Sequence, residues 1–159
     1  MTAVTPAIKA VIDAFIVSSA MLIDRDDLDA WLDRFEDAAR YIVTSRENQS
    51  LGLPAALIHC DSKASLKDRL VALRHANKFN PHYDRHIMGG TDITSVTGDI
   101  AAVESNFMIV QSTKTGQSRL FCAGCYFDRI RVSGGAARFV ERVAVLDTFA
   151  VPTLLATPV

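Results

Sequence analysis

Apolar positions recur every three to four residues through the first part of the chain. Ile8, Val11, Ile12, Phe15 and Leu22, with Ser19 among them, fall on one stripe at helical spacing. Leu28, Trp31, Leu32 and Phe35 repeat the pattern in a second, shorter helix after a break at Asp24-Arg25-Asp26. Asp26 or Asp27 is suited to cap that helix, because a carboxylate accepts from the free N–H groups of a first turn. Residues 40–45 carry Tyr41, Ile42, Val43 and Thr44, a strand composition. A loop with Gly52 and Pro54 and a small apolar segment, 55–59, lead to a third helix predicted over 61–77. Its cap is Asp61, or Ser65 in capping-box spacing with Asp68, and its buried face carries Leu66, Leu70 and Leu73. Pro81 prevents its continuation.

From Tyr83 onward the rhythm changes to period two. Thr97-Gly98-Asp99, Thr115-Gly116 and Ser133-Gly134-Gly135 separate predicted strands over 85–96, 100–113, 117–132 and 136–149. Helices followed by an antiparallel meander define an α+β class, with the helices on one face of the sheet. Strands of this length curl, so the expected shape is a cone built from a single domain, residues 1–159. Within 117–132, Leu120, Cys122, Tyr126, Ile130 and Val132 share one face. Phe121, Ala123, Cys125 and Phe127 share the other, ahead of Arg129 and Arg131. A sheet with one solvated side alternates cleanly, so two apolar faces predict a second packed surface. Residues 148–159 hold no charge and include Phe149, Val151, Leu154, Leu155 and Val159, more apolar surface that needs cover from the chain's own sheet or a partner.

Charge and cysteine usage narrow the function classes. A net charge of −1 gives no basic field for nucleic acid or an anionic membrane. No unbroken apolar run reaches the roughly 18–20 residues of a bilayer span. Residues 1–9 lack the features of a signal peptide, and three cysteines do not make a disulfide framework, so a cytoplasmic protein is expected. Cys122 and Cys125 have CxxC spacing, yet an offset of three within a strand points them to opposite faces. No Cys-x-His exists to build a Rieske cluster. His82, Asp84 and His86 would share one face of an extended segment, the donor set of a non-haem iron site. Crowding on one strand does not suit a facial triad, and hydrogen-bonding histidines are the expectation. His59 and Cys60 have no further ligand at metal-site spacing. Gly89-Gly90 precedes a strand rather than a helix and is no phosphate cradle.

Two carboxylates are candidates for proton transfer. Glu104 shares a predicted face with Asn106 and Met108, and Glu141 with Phe139, Val143 and Val145. Turned into the cone, either would have its pKa raised by burial, and Tyr41 and His86 would complete a pocket. The competing expectation pairs these acids with Arg119, Arg138 or Arg142. Arginine is favoured in interface ion pairs. Arg85, Arg129 and Arg131, with Phe149, Leu154, Leu155 and Val159, are therefore the expected subunit-contact residues.

Longer stretches resemble a known family. Leu28-Asp-Ala-Trp31-Leu-Asp-Arg-Phe35, followed by Ala39-Arg40-Tyr41, is similar to the first part of β subunits of aromatic-ring-hydroxylating dioxygenases. So is Asp68-Arg69-Leu70-Val-Ala-Leu73-Arg74 leading to Arg85-His86-Ile87. The tail from Val145-Leu146-Asp147-Thr148-Phe149 to Pro152-Thr153-Leu154-Leu155-Ala156-Thr157-Pro158-Val159 resembles that family's ending. The resemblance implies a cystatin-like cone, the fold of nuclear transport factor 2-like proteins, and a non-catalytic subunit. It also implies an α3β3 hexamer containing a trimer of this chain. The Rieske 2Fe–2S cluster and mononuclear Fe(II) are then expected on the α subunit, with no cofactor here. The implied substrate is an aromatic carboxylic acid. The alternatives are a free-standing acid–base enzyme (dehydratase, isomerase or cyclase) using Tyr41, His86, Glu104 or Glu141, and a small-ligand-binding module.

Overall fold

The computed structural model describes residues 4–76 and 78–159. Helix α1, Pro6–Asp24, starts where the Thr5 hydroxyl accepts from the Ile8 N–H at 3.2 Å and Pro6 takes the first position. It buries Ile12, Phe15, Ile16, Ser19, Ala20 and Ile23. Helix α2, Leu28–Leu32, is capped by Asp27, one of the two predicted caps. Phe35 does not extend that helix. It opens strand β1, Phe35–Ser45, where it packs edge-on to Trp31 at 4.9 Å. The i+7 spacing therefore arises from a turn that returns the chain to the same core, rather than from continued helix.

A short helix α3, Arg46–Ser50, lies ahead of the predicted loop, and a three-residue strand β2, Ile58–Cys60, overlaps the small apolar segment 55–59. Helix α4, Lys63–His75, is capped by Ser62 with Ser65 bonding back, so the cap sits one residue after Asp61, and Ser65, the other predicted cap, is the third residue of the helix and the second half of the capping box. Its predicted end, residue 77, lies outside the described residues. The long strands follow: β3 (His82–Thr97), β4 (Ile100–Thr113), β5 (Ser118–Ser133) and β6 (Ala136–Leu146). β3 begins three residues before its predicted start, and β6 ends three before its predicted end.

The sheet order is β2-β1-β6-β5-β4-β3. The expected meander runs antiparallel from β3 to β6, while β1 pairs parallel to β6, a long-range pairing that periodicity does not reveal. Among the register shifts of the sheet, one on β5 and one on β6 reset the faces around the interior. Phe121 is inserted on β5 between the pairs Leu120–Val110 and Cys122–Ile109, so Phe121 and Cys122 are both buried while Leu120 is exposed. Val140 is inserted on β6 between the pairs Phe139–Ile130 and Glu141–Arg129. Phe139 and Arg142 consequently face the interior, and Glu141 faces out.

β3 is a 16-residue edge strand, an invitation to edge-to-edge pairing unless covered. α1 covers part of it. The Asp24 carboxylate accepts from the His86 backbone N–H at 3.0 and 3.1 Å, and Lys9 donates to the Thr91 hydroxyl at 2.9 Å. α1 is long and apolar enough by length and composition to cross a membrane, although Lys9 and Asp13 interrupt its apolar run. These polar ties and its buried face make it the core helix of the cone.

Candidate functional site

The inner face of the sheet surrounds a polar pair in an apolar shell. Arg142 donates to both oxygens of Asp128 at 3.0 and 2.8 Å, with both side chains out of solvent. Its guanidinium lies 4.0 Å from the Tyr126 ring centroid and 4.3 Å from that of Phe139. Burial pushes the Asp128 carboxyl above its ordinary range, against the pull of Arg142. Neither residue stands out in the sequence: the insertion of Val140 is what carries Arg142 inside, and strict alternation hides it.

The end of the chain closes the cone. Ala156 and Val159 are buried in the core. The Tyr41 hydroxyl accepts from the Val159 N–H at 2.9 Å and donates to the Val159 carbonyl at 3.1 Å. Thr157 donates to Asp84 at 2.6 Å, and Arg69 to the Leu155 carbonyl at 3.3 Å. Burial pushes the Tyr41 phenol up to about 12.

The four proton-transfer candidates do not converge. Tyr41 is held by Val159, and His86 has Nδ1 2.7 Å from Asp24. Glu104 is exposed on the outer face, and Glu141, also outward, pairs with Arg40. His82 lies in regular strand, 3.4 Å from Asp84, whose other oxygen accepts from Gln111. Among the described residues no group of three His, Cys, Asp or Glu side chains could hold a metal ion.

The CxxC motif has a packing explanation. A Cβ on Gly124 would lie 2.1 Å from the Val145 carbonyl oxygen, so only glycine allows β5 and β6 to meet there. Cys122 faces inward and Cys125 outward. Burial pushes all three thiols up, Cys122 to about 12, which makes them unreactive near neutral pH.

The outer face carries two apolar rows, each crossing three strands. Ile42, Val143 and Phe127 stand side by side in register, and Ala123, Met108 and Ile87 form a second row. Ile87 and Met108 are 47% and 44% exposed, and Leu120 and Tyr83 more so. An apolar surface of this breadth marks an interaction site. Arg129 is exposed beside it and makes no ion pair among the described residues, while Arg85 reaches Asp24 only at 3.7 Å. Phe149 and Leu154 are exposed and Leu155 is partly buried. Two expected contact residues are engaged within the chain instead. Val159 is buried in the core, and Arg131 binds Glu36 at 2.7 Å and Asp99 at 2.6 Å.

Residues 18–153 match the model of a protein family described as ring hydroxylating beta subunit. The anthranilate 1,2-dioxygenase small subunit of Burkholderia cepacia is 36% identical over 137 residues, covering 86% of this chain and 85% of the relative. A crystal structure of a β subunit assigned to an aromatic-ring-hydroxylating dioxygenase of Novosphingobium aromaticivorans superposes with a TM-score of 0.86 at 42% identity, covering 95% of this chain and 96% of that one. A cystatin-like protein of Nostoc punctiforme shares the fold alone, with a TM-score of 0.69 at 17% identity over 97% of this chain and 98% of the other. The expected cystatin-like cone is the fold observed, and the chain belongs to the family of ring-hydroxylating dioxygenase β subunits.

Proposed function

We propose that this chain is a structural subunit that supports the assembly of a larger, iron-bearing α subunit in a cytoplasmic aromatic-ring dioxygenase. The observation that carries the reading is the outer sheet face: apolar in successive rows, and open in the single chain. The inner face offers no competing chemistry, because Tyr41, His86, Glu104 and Glu141 are dispersed and engaged differently. The described side chains do not form a donor set for iron, and the Rieske cluster and mononuclear Fe(II) belong on the partner. The anthranilate dioxygenase relative favours an aromatic carboxylic acid as substrate of the whole enzyme. An α3β3 hexamer with a trimer of this chain is the assembly proposed. Arg85, Arg129, Phe149, Leu154 and Leu155 are the contact residues proposed beside the apolar rows.

A tagged pull-down from the native host tests this, with the native mass and iron content of the eluate measured. Co-elution of a larger iron-bearing chain in equal stoichiometry, at hexameric mass, is the expected result. An iron-free monomer or homodimer without that partner overturns it.

A further inference from the structure

We propose that a notch in the outer face, opened by Gly89-Gly90, is the seat of one arginine side chain of the large subunit. The inference rests on the assembly proposed above and assigns the charged part of that contact. β3 shifts register against β4 between Met88 and Thr91, so the two glycines pass without regular partners. A notch of about 230 Å³ results, lined by Gly90, Asp92, Glu104, Ser105, Asn106 and Cys125. A Cβ on Gly89 would press on the Asn106 Cβ at 3.1 Å, whereas one on Gly90 would meet nothing within 4 Å. Gly90 does not have the positive φ that favours glycine either. Neither packing nor backbone geometry in the single chain calls for glycine at residue 90. What the missing side chain does is keep the notch open.

The lining defines the occupant. Asp92 and Glu104 stand directly opposite each other, both exposed, and neither makes an ion pair among the described residues. Opposed like charges on a sheet are unfavourable, and a cation placed between them reverses the sign. The chain supplies none. Lys9, which reaches Thr91 from α1, is held by Asp13, and Arg129 is exposed and touches neither carboxylate. The Asn106 amide makes no hydrogen bond among the described residues, and Ser105, 2% exposed, has a hydroxyl without a partner. A buried hydroxyl left unpaired is costly, and a donor entering the notch relieves it. The described side chains form no metal-holding group there. A guanidinium suits the set, because its planar fork offers five N–H donors to several acceptors at once, where an ammonium is a single point charge. Phe127, opposite Glu104 on β5, adds a ring for its stem to lie against. The large subunit is the source, because the outer face is the convex side of a curled sheet. A second copy would bring its Arg129 on the same convex face, and two convex faces meet over little of the roughly 1,200 Å² a stable interface buries.

The test titrates the purified large subunit with this chain and with two variants of the notch. Gly90→Leu fills the notch from a position where an added side chain starts in open space, so the isolated chain keeps its fold. It should weaken the complex roughly tenfold or more, as a plugged pocket at a contact does. Asp92→Asn combined with Glu104→Gln removes both charges from exposed positions and should weaken the complex roughly 30-fold or more, as loss of one side of an enclosed charge pair does. Wild-type affinity should also fall more steeply with added salt than that of the double variant. Wild-type affinity in both variants overturns the proposal and leaves the assembly reading intact. Loss of self-association with normal binding to the large subunit overturns it too, because the occupant is then a second copy's Arg129. Failure of the wild-type chain to bind the large subunit at all is a different result, which overturns the assembly reading and this inference with it.

Discussion

Neighbouring residues of β5 live in opposite worlds. Tyr126, Asp128 and Ile130 point into the cone and are buried, while Phe127 and Arg129 between them point out to a surface the single chain leaves open. The inner face is a finished core in which even a buried charge has a bidentate partner. The outer face has apolar rows and an arginine, Arg129, that makes no ion pair among the described residues. The difference teaches that fold stability and assembly are written on alternate residues of the same strands, so substitutions one position apart should separate them.

The largest effect is expected at Asp128. Asp128→Ala strands the Arg142 charge in the core and should lower the unfolding free energy by about 3–5 kcal/mol in urea titrations. Arg129→Ala, on the next residue, should change it by less than about 0.5 kcal/mol. Similar small values for both would break the comparison, because the inner pair would then contribute no more than a surface residue.

Met108→Glu tests the outer face. The side chain is 44% exposed, so the isolated chain should keep its stability to within about 0.5 kcal/mol. A carboxylate placed in the middle of an apolar contact should weaken association with the large subunit roughly 100-fold, about 2.7 kcal/mol. A titration of purified subunits that shows unaltered affinity would remove this face from the interface.

This division was partly legible in the sequence. Period-two runs, glycine turns and the apolar character of both faces of β5 predicted the meander and a second packed surface. The inner site was not legible, because inward and outward positions are counted by alternation, and alternation fails at an inserted residue. Val140 exchanges the roles of Glu141 and Arg142, and Phe121 brings itself inward and leaves Leu120 out. The parallel β1–β6 pairing and the seat of Val159 on Tyr41 depend on residues about 100 positions apart, beyond any local pattern. Trp31 to Phe35 shows the converse, a periodic signal that marked the core correctly while misassigning the element.

Tyr41 gives the inner face a pH signature. Burial raises its phenol from the ordinary 10.0 to about 12, and Tyr126 shifts in the same direction for the same reason. The unfolded chain releases these protons first. The stabilising contribution is therefore complete below pH 10 and is lost as the pH rises from 10 through 12, by a few kcal/mol in order of magnitude for Tyr41. Tyr41→Phe should flatten this alkaline loss in urea titrations taken across the same range. An unchanged slope would show that Tyr41 is not sealed by Val159.

The smallest effect sharpens the outer face. Glu104 stands directly opposite Asp92 across β3 and β4, both exposed, and neither makes an ion pair among the described residues. Like charges directly opposite on a sheet repel, by about 0.2–0.5 kcal/mol on an exposed surface. Glu104→Gln should therefore raise the stability of the isolated chain by that amount, and the gain should shrink as added salt screens the pair. A loss of stability instead would mean that Glu104 is held by a favourable contact within the chain, and the outer face would then be less open than its apolar rows imply. A gain in the isolated chain together with weaker binding to the large subunit would mean that the two carboxylates await a partner's cation, placing the β3 edge inside the interface.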